Sequence, residues 1–235
     1  MLLKKKAFIL FIILLTSVSA LWAGDTAVFV DLGFSADGRV YMFGQHGVLS
    51  PSLRPWAELY IVDVVSNTFV QNGRMSFIES SPIRAGQDGS GILHRLVSNN
   101  SSITNRYGIN FQNQGLPLYI SRNETPPSHG EKIDFRDFLS GKSYNAQLIP
   151  TITGSGQNVR SQFYINLEVS SPNGQFRTYK VGTPTFVRQG IVQYNIKRVL
   201  IDANGGSIVF VIEMMRVTDS GNGFDVRYMV EAVRL

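Results

Sequence analysis

The sequence contains no cysteine among its 235 residues. The chain therefore cannot form disulfides, use a thiolate nucleophile, or bind an iron–sulfur cluster or a zinc ion through sulfur. Histidine is nearly as scarce, because His46, His94 and His129 are the only three, and no two stand at helical or hairpin spacing. A metal site would have to gather them from distant segments together with a carboxylate. We predict no metal and no other cofactor.

Charge is also sparse, at 17% of residues, while hydrophobic residues make up 43%. This balance excludes a disordered chain and a polytopic membrane protein. One long apolar run is present, Ala7 to Leu15, and it directly follows three lysines, Lys4 to Lys6. A basic start, a short apolar run and small residues after it are the parts of a secretory signal peptide.

We predict that residues 1–23 form this signal peptide, with cleavage between Ala23 and Gly24 and cleavage after Ala20 as the alternative. An uncleaved membrane anchor is disfavoured because the segment from Ala7 to Ala23 is at the short end for a membrane span. No other transmembrane segment is expected.

Removal of residues 1–23 takes away three of the 22 basic residues and no acid, which lowers the net charge from +5 to +2. Much of the alkaline character therefore belongs to the export signal and does not indicate nucleic-acid binding. We predict a protein exported to the periplasm or the exterior of a bacterium, with no nucleic-acid partner.

The rest of the sequence favours β-strands. Apolar residues alternate along Val28–Phe34, and an Asp37-Gly38 pair predicts a tight hairpin before the next strand, Arg39–Phe43. Leu59–Val65 and Ile208–Ile212 are apolar at nearly every position, which predicts interior strands. Short turns between successive strands require antiparallel pairing.

Two stretches carry a family resemblance. Residues 34–43, Phe-Ser-Ala-Asp-Gly-Arg-Val-Tyr-Met-Phe, and residues 59–64, Leu-Tyr-Ile-Val-Asp-Val, resemble one blade repeat of the TolB-type β-propellers, with Ala36 in place of the usual proline. The opening from Phe29 to Tyr60 resembles a family of bacterial predicted secreted proteins, domain of unknown function 2259. That resemblance implies export and a β fold, and it implies no reaction.

We predict a single mainly β domain over residues 24–235, built of antiparallel hairpins that form a sandwich or an open barrel. A small β-propeller is the alternative, although the glycine-containing turns follow no fixed period. The domain divides into a blade-like part (24–75), an irregular middle (76–142) with one short helix near 90–98, and a C-terminal antiparallel sheet (143–235). In its last strand, Phe224, Val226, Tyr228, Val230 and Ala232 should face the core, and Asp225, Arg227 and Glu231 should face water.

No motif places a nucleophile beside a base. Gly33-Phe34-Ser35 approaches a nucleophile elbow, but Ser35 opens a hairpin and not the strand-to-helix turn that an elbow needs. Asp219, Asn222 and Asp225 cluster in one turn without the order of a calcium loop. We therefore predict no catalytic residues.

Two functional classes remain. The first is a non-catalytic module that binds an envelope protein or a cell-wall component, through a sheet edge or through the connection Gln45–Trp56, where Arg54 and Trp56 are the candidate contacts. The second is a cell-envelope hydrolase whose site is assembled only in three dimensions. A pocket that holds two carboxylates would favour the second class.

Overall fold

The computed structural model describes residues 23–122 and 130–235. The predicted signal peptide lies outside this range except for Ala23, and His129 lies outside it as well. Its strands are β1 (Ala23–Thr26), β2 (Val28–Phe34), β3 (Val40–Leu49), β4 (Arg54–Asp63), β5 (Thr68–Ile78), β6 (Leu116–Ile120), β7 (Lys132–Arg136), β8 (Ser143–Thr153), β9 (Arg160–Ser170), β10 (Phe176–Val181), β11 (Arg188–Gln189), β12 (Ile191–Ile201), β13 (Ser207–Val217) and β14 (Phe224–Arg234). Its helices are α1 (Ser90–Asn99), α2 (Ser101–Arg106) and a 3-10 turn (Gly156–Asn158).

Strands β2 to β5 form a four-stranded antiparallel meander, which we call the N-terminal sheet. Its first turn is the predicted one. Gly38 has a φ of +70°, which glycine adopts without strain. The Asp37 carboxylate accepts hydrogen bonds from the Ser35 hydroxyl at 2.6 Å and from the Arg39 amide at 3.0 Å. The predicted hairpin is confirmed.

The connection predicted over Gln45–Trp56 is wrong, because both flanking strands are longer than expected. Strand β3 continues to Leu49 and β4 begins at Arg54, and these two residues are paired. Apolar Val48 and Leu49 extend the strand, and only residues 50–53 form the turn. The residues between Gln45 and Trp56 are therefore mostly strand residues.

A second sheet, the central sheet, has the strand order β1-β14-β13-β12-β6 and is curled into half a barrel. Strand β1 pairs with β14 in parallel, and the other pairs are antiparallel. Along β13, Ile208, Phe210 and Ile212 pack toward one neighbouring sheet, whereas Val209 and Val211 pack toward the N-terminal sheet. The prediction that this strand is interior is confirmed.

A third sheet, the outer sheet, has the order β10-β9-β8-β7, with β11 paired to β9. Buried and exposed residues alternate along β9, since Phe163, Ile165 and Leu167 are buried against the central sheet while Asn166 and Glu168 are exposed. The edge strand β7 lies in the middle region that the sequence predicted to be irregular.

The helices lie on the far face of the N-terminal sheet. Helix α1 matches the predicted helix, and its Leu93 and Leu96 are buried against that sheet. Gly44 of β3 lies under Leu93, where an added Cβ would come within 2.6 Å of the leucine side chain. Helix α2 was not predicted, because its sequence is polar and only Thr104 is buried. No helix of residues 23–122 and 130–235 is long and apolar enough to cross a membrane.

The layers are therefore stacked in the order outer sheet, central sheet, N-terminal sheet and helices. One end of the stack is covered by helices, and the other end is the polar face of the outer sheet, so the sheets do not close into a ring. The predicted sandwich or open barrel is confirmed.

The last strand differs from its predicted alternation. Val230 and Ala232 face the N-terminal sheet as expected. Phe224 is 46% exposed and does not face the core, and Arg227 pairs with Asp25 and does not face water. Glu231 is 5% exposed and is not turned to water either. It lies 3.3 Å from Arg188 and accepts a hydrogen bond from Asn67 of the N-terminal sheet. Because both faces of β14 are covered at Val230–Ala232, the charge of Glu231 must be paired within the protein.

Candidate functional site

A groove of about 650 Å³ lies between helix α1 and the segment that follows β5. Pro55 of β4 lies at its base, and the residues that line its sides include Glu79, Pro82, Ile83, Ile92 and Arg95. The groove thus combines apolar side chains with two carboxylates, those of Glu79 and Asp88, and one guanidinium, that of Arg95.

The wall at residues 79–83 is fixed to β4 by three hydrogen bonds. The Glu79 amide donates to the Pro55 carbonyl at 2.9 Å, and the Ile83 amide donates to the Leu53 carbonyl at 2.8 Å. Arg54, the first predicted contact residue, donates its Nε hydrogen to the Glu79 carbonyl at 2.7 Å. Arg54 therefore holds the wall of the groove in place.

The rim carries an ion pair between Arg95 of α1 and Glu79, with Nη2 and Oε2 2.5 Å apart. The hydrogen bond from Arg95 holds the pKa of the Glu79 carboxyl below its usual range. Arg95 also lies over the Phe77 ring at 5.0 Å, which orients its guanidinium. Both members of the pair are partly exposed, so each has polar atoms available to an incoming ligand.

Trp56, the second predicted contact residue, is 4% exposed. Its Nε1 donates to Asp25 Oδ2 at 2.5 Å, and the Arg227 guanidinium lies 4.3 Å from its ring. Arg227 also donates to Asp25 Oδ2 at 2.8 Å. Burial raises the pKa of Asp25. The charge of Arg227 and the hydrogen bond from Trp56 oppose this rise. Trp56 thus fastens β1 to β4 behind the groove.

Helix α1 approaches the strands closely at its first residues. A Cβ added at Gly89 would come within 2.6 Å of the Gly47 carbonyl oxygen and 3.1 Å of the Trp56 carbonyl oxygen. No side chain fits there. This contact fixes the helix against the β3–β4 hairpin and determines the width of the groove.

The residues at the predicted cleavage site stand at the start of the described chain. Ala23 pairs with Phe224 as the first residue of β1. Gly24 follows with its backbone so close to β14 that an added Cβ would lie 2.0 Å from the Phe224 carbonyl oxygen. Cleavage between Ala23 and Gly24 would leave the remaining three residues of β1 in the mature chain.

The structure brings two histidines nearer than their sequence spacing predicted. His46 of β3 is 5% exposed and lies where the charges of Asp88 and His94 act on it. Burial lowers its pKa. Within residues 23–122 and 130–235, no group of three His, Asp or Glu side chains is arranged to hold a metal ion.

A second polar cluster lies on the central sheet, and no motif in the sequence points to it. The Glu213 carboxylate accepts hydrogen bonds from Tyr228 at 3.1 Å and from Asn195 at 3.2 Å, and it lies 3.4 Å from Lys197 Nζ. Glu131 enters from the segment before β7 and accepts a bond from the Ile196 amide at 2.7 Å.

Lys197 acts on both carboxylates of this cluster. Burial raises the pKa of Glu131, the lysine charge opposes that rise, and the Glu213 charge adds to it. A cavity of about 330 Å³, lined by Phe29, Ile120, Lys197 and Tyr228 among others, adjoins the cluster. Two carboxylates with different environments can in principle serve as an acid and a base.

Fold and site define a mainly β protein with an open surface groove and, in its described ranges, no metal-binding cluster. A family model described as a predicted secreted protein (DUF2259) matches residues 42–234. The chain belongs to this family. No match was found among curated proteins or among solved structures. The family match confirms one of the two resemblances seen in the sequence and does not bear on the TolB-type blade.

Proposed function

We propose that this protein is a non-catalytic binding module of the bacterial envelope and that the groove beside α1 is its docking site. The proposal rests on one observation above all: a groove of about 650 Å³ whose wall is fixed by the predicted contact residue Arg54. The signal-like first segment and the family description support an exported protein.

The chemistry of the groove favours a protein segment as the ligand. Pro55, Pro82, Ile83 and Ile92 offer apolar contact, and the Glu79–Arg95 pair offers a donor and an acceptor at the rim. No aromatic side chain is among the described residues that line it, whereas a sugar ring would be expected to stack on one. Among the candidate partners, an envelope protein is therefore favoured over a cell-wall glycan.

The decisive variant fills the groove without disturbing the fold. Gly91 is the groove residue on α1 whose added Cβ would meet no atom within 4 Å, so Gly91→Phe projects a ring into open space. Ser98→Phe places the same ring on an exposed position of the same helix outside the groove and is the matched control. Trp56→Ala is unsuitable, because Trp56 is part of the core.

The measurement is crosslinking in intact cells from a photoreactive residue at Ser81, followed by identification of the crosslinked protein. We expect one specific partner in the wild type and in Ser98→Phe, a weaker product in Arg54→Ala, and none in Gly91→Phe. Equal capture by Gly91→Phe, or capture of the same partner from a photoreactive residue at Thr178 on the outer sheet, would contradict this site.

The hydrolase alternative is favoured by one specific observation, the convergence of Glu131 and Glu213 on Lys197. Such an enzyme would use Glu131, whose pKa is raised by burial, as the acid and Glu213 as the base or nucleophile. Purified protein incubated with peptidoglycan and ester substrates tests it. Turnover that is lost in both Glu131→Gln and Glu213→Gln would replace the binding proposal.

We also propose that export removes residues 1–23 or, alternatively, residues 1–20. The intact mass of the protein isolated from its native envelope distinguishes the two products. Full-length protein retained in the inner membrane would contradict both. Fractionation of the same cells separates a periplasmic from a secreted location.

A further inference from the structure

The turn between β7 and β8 carries the two most exposed large apolar side chains of the described residues. Phe138 is 86% exposed and Leu139 is 84% exposed. Phe176, at 59%, lies at the same end of the outer sheet, because its partner Ser170 also pairs with Ser143 beside that turn. We call Phe138, Leu139 and Phe176 the apolar tip.

Hydrogen bonds hold this turn in one conformation. The Asp137 carboxylate accepts from the Leu139 amide at 2.9 Å and from the Ser140 hydroxyl. The Asp137 amide donates to the Lys142 carbonyl at 2.9 Å, and its carbonyl accepts from the Gly141 amide at 2.8 Å. Exposure of the two apolar residues is thus imposed by a closed turn and is not a property of a loose loop.

Cations surround the apolar tip. Arg136 lies 5.9 Å from the Phe138 ring, and Lys142 and Arg177 flank the two turns at this end. In residues 136–143 and 170–177, Asp137 is the sole acid, and it is 6% exposed because it is bonded into the turn. The end of the outer sheet is therefore apolar at the tip and positively charged directly beside it, while the exposed acids Asp134 and Glu168 lie two residues further along β7 and β9.

We propose that the apolar tip docks on an anionic lipid surface. Side chains that protrude beyond a positive ring can enter the boundary between headgroups and acyl chains while the cations approach the lipid phosphates. A protein partner would need a broad complementary surface, on the order of 1,000 Å² in total, and three side chains at the ends of two neighbouring hairpins do not provide it. A bilayer accepts a narrow protrusion without shape complementarity.

The test uses protein isolated from its native envelope and vesicles of phosphatidylglycerol mixed with phosphatidylcholine. We expect the wild type to co-sediment with these vesicles and the double variant Phe138→Ser, Leu139→Ser to bind about tenfold or more weakly. Arg136→Gln with Lys142→Gln should also weaken binding about tenfold and reduce its dependence on salt. Phe186→Ser with Val187→Ser removes exposed apolar residues elsewhere and should bind as the wild type does.

A second readout reports the position of the tip itself. In the variant Phe138→Trp, vesicles should shift the added tryptophan emission to shorter wavelength, and brominated lipids should quench it. Wild-type binding by the Phe138→Ser, Leu139→Ser variant would overturn the proposal, as would equal binding to pure phosphatidylcholine vesicles. A dimer that disperses in that double variant, without lipid binding by the wild type, would instead assign the tip to self-association.

Discussion

The longest strands of the central sheet and of the outer sheet all have eleven residues, but the two sheets differ in the faces they bury. Strand β13 is covered on both faces, whereas β9 packs one face on the core and exposes Asn166 and Glu168 on the other. This difference separates the sheet that stabilises the fold from the layers that present surface for binding. The central sheet holds the layers together, and the groove and the apolar tip lie on the layers at the two ends of the stack.

The largest expected effect comes from placing a charge inside the central sheet. Val230 is 7% exposed, so Val230→Asp should lower the free energy of unfolding by about 4–5 kcal/mol through an unpaired buried carboxylate. Val28→Asp makes the same change at a position that is 52% exposed and should cost less than about 1 kcal/mol. Urea unfolding of both variants measures the difference. Similar losses would mean that the central sheet is not the buried layer.

The interface between the central and N-terminal sheets also contains Asp31, which lies beside Tyr41 and Arg198. Burial raises its pKa from an ordinary 3.8 to about 7. The folded protein therefore keeps a proton that the unfolded chain loses, so the free energy of unfolding should fall as pH rises from about 4 to about 7 and then level off.

Asp31→Asn should remove this slope and exceed the wild type in stability at pH 8, by up to about 4 kcal/mol. Urea unfolding at pH 5 and pH 8 measures it. Asp37→Asn is the control, since hydrogen bonds from Ser35 and the Arg39 amide lower the pKa of Asp37 and give stability that is lost toward acid pH. Parallel pH profiles for wild type and Asp31→Asn would contradict the burial of this carboxyl.

A smaller effect is expected at the edge of the central sheet. Arg227→Ala leaves the Asp25 carboxylate buried without its cation and should cost about 2–3 kcal/mol. Arg177 is exposed, so Arg177→Ala should lower the free energy of unfolding by less than about 0.5 kcal/mol. Thermal unfolding compares them, and the double variant Asp25→Asn, Arg227→Ala should regain part of the loss. If the double variant regains no stability, Arg227 acts through its packing on Trp56 and not through its charge.

The smallest effect is expected at the end of the outer sheet. Phe138→Ser with Leu139→Ser should change the free energy of unfolding by less than about 0.5 kcal/mol, because both side chains are more than 80% exposed. Calorimetry of the double variant checks this. A large loss of unfolding free energy would mean that these side chains lie in a packed interface of the protein and not on its free surface.

The parts of the fold that could be predicted are those with a local cause. The Asp37-Gly38 turn follows from the φ that the hairpin needs, and the interior positions of β4 and β13 follow from their nearly continuous apolar runs. The order of the layers could not be predicted, because alternation along a strand identifies its apolar face but not the sheet that covers it.

The sites were harder to predict for the same reason. Arg54 was selected from a mixed segment, but its role depends on Glu79, which lies 25 residues later and pairs only after the hairpins form. Glu131 and Glu213 meet because β12 lies between their segments, and no spacing in the sequence encodes that meeting. Burial of Glu231 likewise depends on Arg188 and on Asn67, which are remote in the chain.

The parallel pairing of β1 with β14 has a consequence for the order of folding. It joins residues about 200 positions apart, as in the bond from the Asp25 amide to the Asp225 carboxylate. Pairings at such separations form slowly, because most of the chain must first be ordered. For a chain that crosses a membrane beginning with its N-terminus, the first strand reaches the far side long before its partner. In a chain exported unfolded, Asp25 and Trp56 would contact Arg227 only after residue 227 had crossed the membrane, so the pairing of β1 would be among the last contacts to form.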